Sequence, residues 1–416
     1  MTLSEELTWR GFTNQTTYKD ISVLDDTASP VTFYLGVDPS ADSMTIGNLA
    51  VAMMVRHFID YGHKAILLVG GATGLIGDPD GKKEERDMKT SEEVERNKQA
   101  IARQYDTVFA GQEFEVVDNY NWFKDMGYLQ FLREIGKHVP MRQMLGREFV
   151  QSRLGEEGAG ISYAEFSYAL MQGYDFLHLF RTKGVILQLC GADQWGNSIA
   201  GVDIIRRIEG GEAHVWSAPL VVNKTTGVKF GKSEDGAIWL DPAKTTPTAF
   251  YQFWINADDL GVESYLKIFT LLDNEAIDAL MARHQSEPHK RIAQTRLAIE
   301  VTKLVHGQAQ MAIAQDVTDV LKGANVGVID EESMVALRTE IASTVADADG
   351  SILAALTETG LASSISEARR LLQGNAIALN GAKVARENFE SQDFKNGRLL
   401  IRRGKAYKDS ALVELA

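Results

Sequence analysis

The 416-residue chain has few of the features that favour an extracellular or membrane-bound protein. Its single cysteine, Cys190, cannot form an internal disulfide and lies in an apolar stretch that predicts a small buried residue. The longest apolar run, near residues 65–76, is shorter than the roughly 20 residues that a membrane-spanning helix needs. The N-terminus opens with acidic residues, so no signal peptide is expected. We therefore expect a cytoplasmic protein without a membrane partner.

Common cofactor and metal motifs are also missing. Gly70, Gly71 and Gly74 lack the G-x-G-x-x-G spacing of a dinucleotide-binding turn. Residues 77–82 fall one residue short of a P-loop, and Lys83 stands where that loop needs Ser or Thr. The eight histidines show no metal-ligand spacing. The sequence predicts that protein side chains hold no metal tightly.

Positive charge is scarce overall but concentrated near the C-terminus. The chain has 57 acidic and 43 basic residues, which gives a net charge of −14. Residues 365–408 carry ten lysines and arginines against four acids, so this segment has +6 and the remainder −20. A basic module on an acidic body is typical of a local site for a polyanion, although a merely solvated basic surface has the same charge.

Short β-branched runs alternate with helical patterns in the first half of the chain. Residues 31–37 and 65–70 predict buried strands, and residues 47–61 between them repeat apolar side chains at helical spacing. Residues 187–189 and 202–208 form a second pair of strand and helix. This alternation indicates an α/β fold with a parallel sheet and right-handed crossovers.

The second half has a different pattern. From about Pro247 the apolar residues recur at helical spacing. Residues 324–350 are acidic with few aromatics and predict a connector or mobile segment. The basic stretch that follows predicts a helix at 366–373 and short strands at 377–379 and 399–402. We therefore expect a compact C-terminal module.

Two segments carry groups suited to phosphate. Residues 34–48 run from a strand through a polar turn into a helix N-terminus, whose unpaired N–H groups and dipole favour an anion. Gly36 and Gly47 allow a nucleotide to approach the backbone. Residues 229–233 place two lysines beside a glycine, which suits a mobile clamp on a polyphosphate. Taken singly, the first segment is also typical of a cap and turn, and the second of a solvated loop.

Together with further blocks, these segments resemble bacterial-type tyrosyl-tRNA synthetases, which are class I aminoacyl-tRNA synthetases, over essentially the whole chain. Residues 45–48 (Thr-Ile-Gly-Asn) stand where that class has His-Ile-Gly-His, and residues 229–233 where it has Lys-Met-Ser-Lys-Ser. The basic tail from about Ser351 resembles an S4-type RNA-binding domain. Blocks specific for tyrosine are similar to residues 71–86, 166–176 and 188–197.

The resemblance implies three domains and a two-step reaction. We expect a Rossmann-like catalytic domain with an insertion at 1–225, a mobile lysine loop and helical anticodon-side domain at 226–325, and a small α+β S4-like domain at 350–416. L-tyrosine and Mg-ATP would give tyrosyl-adenylate and pyrophosphate, and the tyrosyl group would pass to the 3′ end of tRNA(Tyr). The enzymes it resembles are homodimers, and ATP enters with Mg²⁺ as a substrate.

The resemblance also assigns residues to roles. The expected tyrosine-binding residues are Tyr34, Asp78, Tyr168, Gln172, Asp175, Gln188 and Gln194. The expected ATP-binding residues are Gly36, Asp38, Ser40, Gly47, Asn48, Gly191, Asp193 and Lys232. The groups expected to act on the phosphates are Thr45, Lys82, Arg86, Lys229 and Lys232. The expected RNA-binding residues are Arg369, Arg370, Lys383, Arg386, Arg402 and Arg403.

Helical spacing supports part of this assignment independently of the resemblance. Tyr168, Gln172 and Asp175 lie at i, i+4 and i+7 of a predicted helix, so their side chains share one face. The departure from the family pattern is at Thr45 and Asn48, where the family has histidine. Asn48 can still offer its amide to the ribose, and the Thr45 hydroxyl can donate one hydrogen bond on the phosphate side.

Three other functions remain open at this stage. The chain can be a tryptophan-specific relative, although Tyr34 and Asp175 favour a phenol. It can be a paralogue that binds RNA without charging it, which the loss of both motif histidines would fit. A structural RNA chaperone that uses only the basic tail leaves the pocket residues unexplained. Tyrosine-dependent exchange of pyrophosphate into ATP distinguishes these possibilities.

Overall fold

The computed structural model describes residues 1–79, 88–146, 148–155, 160–230, 232–233, 236–404 and 409–416. It divides into two units. The first comprises residues 1–244 and 257–297, and the second comprises residues 245–256 and 298–416. Lys82 and Arg86, expected to act on phosphate, lie outside the described residues, and so does the side chain of Lys232.

A six-stranded sheet forms the centre of the first unit. Its strand order is β1-β6-β5-β2-β3-β4; all neighbours are parallel except the β1–β6 pair. Tyr34 on the central strand is in register with Ile66 on one side and Gln188 on the other. The predicted parallel sheet is therefore confirmed. The strands are β1 (Gln15–Thr16), β2 (Thr32–Val37), β3 (Lys64–Val69), β4 (Phe114–Asp118), β5 (Leu187–Gly191) and β6 (His214–Ala218).

Helices connect and cover these strands. Helix α9 is capped at its start by Ser162, which forms a capping box with Glu165, and at its end by Gly184 in the left-handed conformation. No helix in the described ranges is long and apolar enough to cross a bilayer. The helices are α1 (Leu3–Arg10), α2 (Ile46–Asp60), α3 (Thr73–Ile76), α4 (Ser91–Val108), α5 (Tyr120–Phe123), α6 (Tyr128–Glu134), α7 (Met141–Leu145), α8 (Glu148–Leu154), α9 (Tyr163–Lys183) and α10 (Trp195–Glu209).

The first unit continues past the sheet, and one of its core clusters lies between the sheet and α9 and α10. Phe176, Leu177 and Ile204 pack with Ile66 and Leu68 of the central strands, and all five are buried. This packing fixes which face of α9 is turned to the sheet. The later elements of the unit are β7 (Lys232–Ser233), β8 (Gly236–Ala237), α12 (Val262–Phe269) and α13 (Asn274–Ser286).

The second unit combines helices with a five-stranded sheet of order β11-β10-β12-β13-β9. The helix predicted at 366–373 and the strands predicted at 377–379 and 399–402 are present within one residue or two of those bounds. The helices are α11 (Pro247–Ile255), α14 (Ile292–Lys322, which begins in the first unit and is interrupted at Gly307), α15 (Glu331–Glu340), α16 (Ile352–Glu358) and α17 (Ile365–Gln373). The strands are β9 (Ala342–Ala346), β10 (Ile377–Leu379), β11 (Ala382–Lys383), β12 (Arg398–Arg403) and β13 (Ser410–Leu415).

The acidic segment 324–350 differs from its prediction as a connector. It contains α15, whose Met334 and Leu337 are buried, and β9, which pairs in parallel with β13. Asp330 caps α15 by accepting from the Ser333 N–H at 2.8 Å, and acids in the first turn suit the helix dipole. Some of the acidic residues that suggested a mobile segment therefore stabilise the start of a helix.

Candidate active site

A cavity of about 290 Å³ lies at the carboxyl ends of the central strands of the first unit. The sheet order changes direction between β2 and β5, which is where α/β folds place their ligands. Every residue expected to bind tyrosine lines this cavity. So do Gly36, Asp38, Ser40, Thr45, Gly47, Asn48, Gly191, Asp193 and Lys229. Residues from widely separated parts of the sequence thus meet at one site.

One part of the cavity wall contains two buried acidic groups. Tyr34 and Asp175 are 1% and 2% exposed. The Tyr34 hydroxyl has no hydrogen-bond partner among the described residues. Burial, together with the nearby Asp175 charge, raises the pKa of Tyr34 well above its ordinary value. The Tyr34 hydroxyl is therefore neutral and available to a ligand.

Asp175 accepts hydrogen bonds from two residues that were not predicted from the sequence. Asn119 Nδ2 donates to Asp175 Oδ2 at 3.0 Å, and Trp122 Nε1 donates to Asp175 Oδ1 at 2.9 Å. Burial raises the pKa of Asp175 to about 8, and these two bonds oppose the shift because they favour the carboxylate. Asn119 directly follows the end of β4 (Phe114–Asp118), so a polar residue after a strand was the available signal.

A chain of hydrogen bonds joins Asp175 to the rest of the cavity. Asn119 Nδ2 also donates to Thr73 Oγ1 at 2.9 Å, and the Thr73 hydroxyl donates to Asp38 Oδ1 at 2.6 Å. Tyr168 donates its hydroxyl to the other oxygen of Asp38 at 2.7 Å. A Cβ at Gly70 would overlap both Asp38 Oδ1 and Thr73 Oγ1, so glycine is needed for their contact. Thr73, like Asn119, was missed in the sequence.

Hydrogen-bond acceptors that suit the ammonium group of a ligand lie near these hydrogen-bonded residues. Asp78 accepts a hydrogen bond from Gln194 Nε2. Burial, followed by the charges of Asp38 and Asp78, raises the pKa of Tyr168. The side-chain oxygens of Gln172 and Gln188 are buried without partners among the described residues. Unpaired buried acceptors are costly, so they favour a ligand that donates hydrogen bonds.

The other end of the cavity has the predicted helix N-terminus and the lysine loop. Helix α2 begins after Thr45, which is hydrogen-bonded to Asn48. Lys229 Nζ lies 3.9 Å from Asp193 Oδ2, and both side chains are about half exposed. Phe230 is buried and stacks on Tyr265 with ring centroids 4.2 Å apart, which anchors the start of the loop. The described part of the loop thus places one cation at the cavity mouth.

No cluster of three or more His, Cys, Asp and Glu side chains suited to a metal occurs among the described residues. The free cysteine, Cys190, is buried in the cavity wall, as predicted. Burial raises the pKa of its thiol to about 12, so the thiol is not a nucleophile near neutral pH.

The arginines predicted to bind RNA lie in the second unit, and most have protein partners. Arg369 pairs with Glu387 at 2.7 Å, and Arg386 pairs with Asp393. Arg402 donates to Ser410 Oγ at 3.2 Å and to the Leu321 carbonyl oxygen. Arg403 donates to the Leu361 carbonyl oxygen at 2.9 Å. The carboxylates of Glu387 and Asp393 offset the charges of Arg369 and Arg386, and the other bonds occupy N–H donors of Arg402 and Arg403.

Arg370 and Lys383 differ from the other four. Both are exposed, and among the described residues neither has an ion-pair partner within 4.0 Å. They are therefore the two predicted residues whose charge is most available to an anionic partner.

Comparisons with known proteins give matches over almost the whole chain. Residues 26–321 match a family model described as class I tRNA synthetases (W and Y), and residues 335–408 match the SYY-like C-terminal domain of tyrosine–tRNA ligase. Tyrosine–tRNA ligases of Bacteroides fragilis and Latilactobacillus sakei are 41% and 42% identical to the chain. The first alignment covers 97% of this chain and 98% of that protein, and the second covers 96% of each.

A solved structure is similar as well. The crystal structure of a C-terminally truncated mitochondrial tyrosyl-tRNA synthetase from Aspergillus nidulans matches with a TM-score of 0.69 and 29% identity. The match covers 77% of this chain and 94% of that one.

Proposed function

The chain belongs to the class I tRNA synthetases of the tryptophan and tyrosine group, and on that premise we propose that it activates L-tyrosine with Mg-ATP and transfers the tyrosyl group to the 3′ end of tRNA(Tyr). One observation carries the choice of tyrosine: the buried hydroxyl of Tyr34 and the buried carboxyl group of Asp175 lie in one wall of the cavity. A phenol hydroxyl can donate to one and accept from the other. An indole N–H offers only a donor.

The substrate amino group would bind beside Asp78, Tyr168 and Gln172. A carboxylate gives the ammonium a charge-assisted hydrogen bond, and the unpaired Gln172 oxygen supplies a second acceptor. With its phenol and ammonium both held, tyrosine would direct its carboxylate towards the nucleotide end of the cavity. Positioning of this kind lowers the barrier without a protein nucleophile.

The reaction then has two displacements. A carboxylate oxygen of tyrosine attacks the α-phosphorus of ATP, and the bond from that phosphorus to the bridging oxygen breaks to release pyrophosphate. The ribose hydroxyl at the 3′ end of tRNA attacks the carbonyl carbon of tyrosyl-adenylate, and AMP leaves. Lys229 would neutralise charge that develops on the leaving pyrophosphate. We propose that Lys82, Arg86 and Lys232 assist it.

Exchange of labelled pyrophosphate into ATP tests this function. The purified protein is expected to catalyse exchange with tyrosine and almost none with phenylalanine, because phenylalanine would leave the buried groups of Tyr34 and Asp175 unpaired. A tyrosyl-tRNA synthetase is known to reject phenylalanine by about 10⁵-fold, and we expect discrimination of that order. Exchange dependent on tryptophan, or no exchange with any amino acid, would contradict the proposal.

We propose further that the second unit binds tRNA through its basic surface. The match of residues 335–408 to a tyrosine–tRNA ligase C-terminal domain supports this. Replacing both Arg370 and Lys383 by alanine is expected to weaken tRNA charging while pyrophosphate exchange stays unchanged, because phosphate contacts are electrostatic. Lys64→Ala, an exposed lysine of the first unit, is the matched control. Normal charging by the double variant at several salt concentrations would refute the role of these two residues.

We also propose that the protein is a cytoplasmic homodimer. Among the described residues from α6 to α9, six large apolar side chains are exposed, which favours an interface. They are Tyr128, Leu129, Met141, Leu145, Leu154 and Tyr163. Light scattering during size-exclusion chromatography is expected to give twice the chain mass. Leu129→Asp together with Tyr163→Asp is expected to give the chain mass, and a monomeric wild type would contradict the proposal.

A further inference from the structure

Thr45 and Asn48, the two positions that depart from the family motif, contact each other. The Thr45 backbone N–H and the Thr45 hydroxyl both donate to Asn48 Oδ1, each at 2.9 Å. Both residues are half-buried and line the cavity. The two side chains therefore form one hydrogen-bonded unit at the start of helix α2.

The count of donors and acceptors in this unit decides what each residue can offer to a ligand. A threonine hydroxyl has one proton, and Thr45 gives it to Asn48. The amide oxygen of Asn48 accepts two hydrogen bonds, so both of its lone pairs are used. Asn48 Nδ2 has two N–H donors, and no acceptor among the described residues bonds to them. The unit thus presents donors through Asn48 and none through the Thr45 side chain.

The backbone on both sides of Thr45 is held independently of its hydroxyl. The Ile46 N–H donates to the Ile238 carbonyl oxygen at 3.1 Å, and the Leu240 N–H donates to the Met44 carbonyl oxygen at 2.9 Å. Substitution of the hydroxyl should therefore leave the turn in place. What the hydroxyl adds is the orientation of the Asn48 amide, because it helps to fix which end of the amide faces the cavity.

We propose that Thr45 is a positioning residue that acts on ATP through Asn48: it holds the Asn48 amide so that Nδ2 donates to an oxygen of the bound nucleotide. This inference rests on the proposed function for the identity of the ligand. It differs from the expectation that Thr45 itself donates to phosphate, and the two roles give different results in a double-mutant cycle.

The cycle measures Mg-ATP affinity by equilibrium dialysis without tyrosine, so no turnover is needed. The variants are Thr45→Val, Asn48→Ala and the double substitution. Loss of one neutral hydrogen bond predicts roughly two- to tenfold weaker binding for each single variant. If Thr45 acts through Asn48, the double variant binds about as weakly as Asn48→Ala alone. Thr45→Ser keeps the hydroxyl and is expected to recover most of the affinity lost in Thr45→Val.

Several results would overturn the inference. If the loss of ATP affinity in the double variant equals the product of the two single losses, Thr45 contacts ATP independently of Asn48. Unchanged affinity in Thr45→Val, or no recovery in Thr45→Ser, would show that the hydroxyl has no such role. Should Thr45→Val fail to fold, Asn48→Asp serves instead, because it keeps the acceptor for Thr45 and lacks the N–H donors. Unchanged ATP binding by Asn48→Asp would then refute the inference.

Controls separate this inference from a structural effect and from the proposed function. Thr90→Val removes a threonine hydroxyl that caps a different helix, α4, and is expected to leave ATP affinity unchanged. In pyrophosphate exchange, Thr45→Val is expected to raise the KM for ATP and to leave the KM for tyrosine unaltered. A wild-type protein that binds ATP but shows no exchange would refute the proposed function alone.

Discussion

The carboxyl group of Asp175 should make the stability of the first unit depend on pH. Burial raises its pKa in the folded protein from 3.8 to about 8. The unfolded chain loses this proton near pH 4, whereas the folded protein keeps it to about pH 8. Between these values the folded state binds more protons, so the free energy of unfolding falls as pH rises. The contribution is complete below about pH 4 and lost above about pH 8.

The size of the effect follows from the shift in pKa. Each pH unit between the two pKa values changes the free energy of unfolding by about 1.36 kcal/mol, so the interval from pH 5 to pH 8 corresponds to about 4 kcal/mol at most. Asp175→Asn removes the titration. The asparagine amide has only one oxygen, so it cannot accept from both Asn119 and Trp122 as the two carboxyl oxygens do, but that cost is independent of pH. The free energy of unfolding of Asp175→Asn, relative to that of wild type, should therefore increase as pH rises.

Urea unfolding from pH 5 to pH 8 measures this difference. Tryptophan fluorescence reports mainly on the first unit, because Trp254 is the only one of the six tryptophans in the sequence that falls in the second. Asp278→Asn replaces an exposed carboxylate on α13 and is the matched control, with no comparable change expected. Parallel pH curves for Asp175→Asn and wild type would refute the reasoning.

Three further substitutions test the site. Trp122→Phe removes the hydrogen bond to Asp175 Oδ1 and should raise the KM for tyrosine roughly two- to tenfold, because a hydrogen bond to a neutral carboxyl group contributes about 0.5–1.5 kcal/mol; an unchanged KM would contradict this. Lys229→Ala should lower kcat for adenylate formation more than it raises the KM for tyrosine, as single-turnover kinetics can show. Gly70→Ala should abolish pyrophosphate exchange, because its Cβ would displace Asp38; full exchange by a folded variant would argue against the contact.

Much of the architecture could be predicted because it depends on local periodicity. The apolar run at 65–70 became β3, and the helical spacing at 47–61 became α2. The spacing of Tyr168, Gln172 and Asp175 placed three side chains on one face of α9, and all three line the cavity. Patterns of this kind survive folding because one element determines them.

Asn119 and Trp122 could not be predicted in the same way. Neither belongs to a periodic pattern. Asn119, which follows β4, and Trp122, on α5, have their roles only because the fold places them against Asp175 of α9. The same is true of the RNA-binding prediction. In the sequence, Arg369, Arg402 and Arg370 contribute the same charge. In the fold, Arg369 pairs with Glu387 and Arg402 donates to the Leu321 carbonyl oxygen, whereas Arg370 is exposed without an ion-pair partner among the described residues. Local composition gives the number of charges, and only tertiary contacts show which remain exposed.

The acidic segment 324–350 shows the same limit at the level of a domain. The partner of β9 in the sheet is β13, the last strand of the chain, so residues close to β9 in the sequence do not predict that it pairs as a strand. The buried residues of α15 pack against both α14 and the C-terminal strands: Met334 and Leu337 share a core with Val317, Leu400 and Leu412. A cut near residue 349, where the charge pattern suggests a boundary, would separate β9 from its sheet and expose that core. Substitution of single surface residues therefore tests the RNA-binding role more cleanly than truncation does.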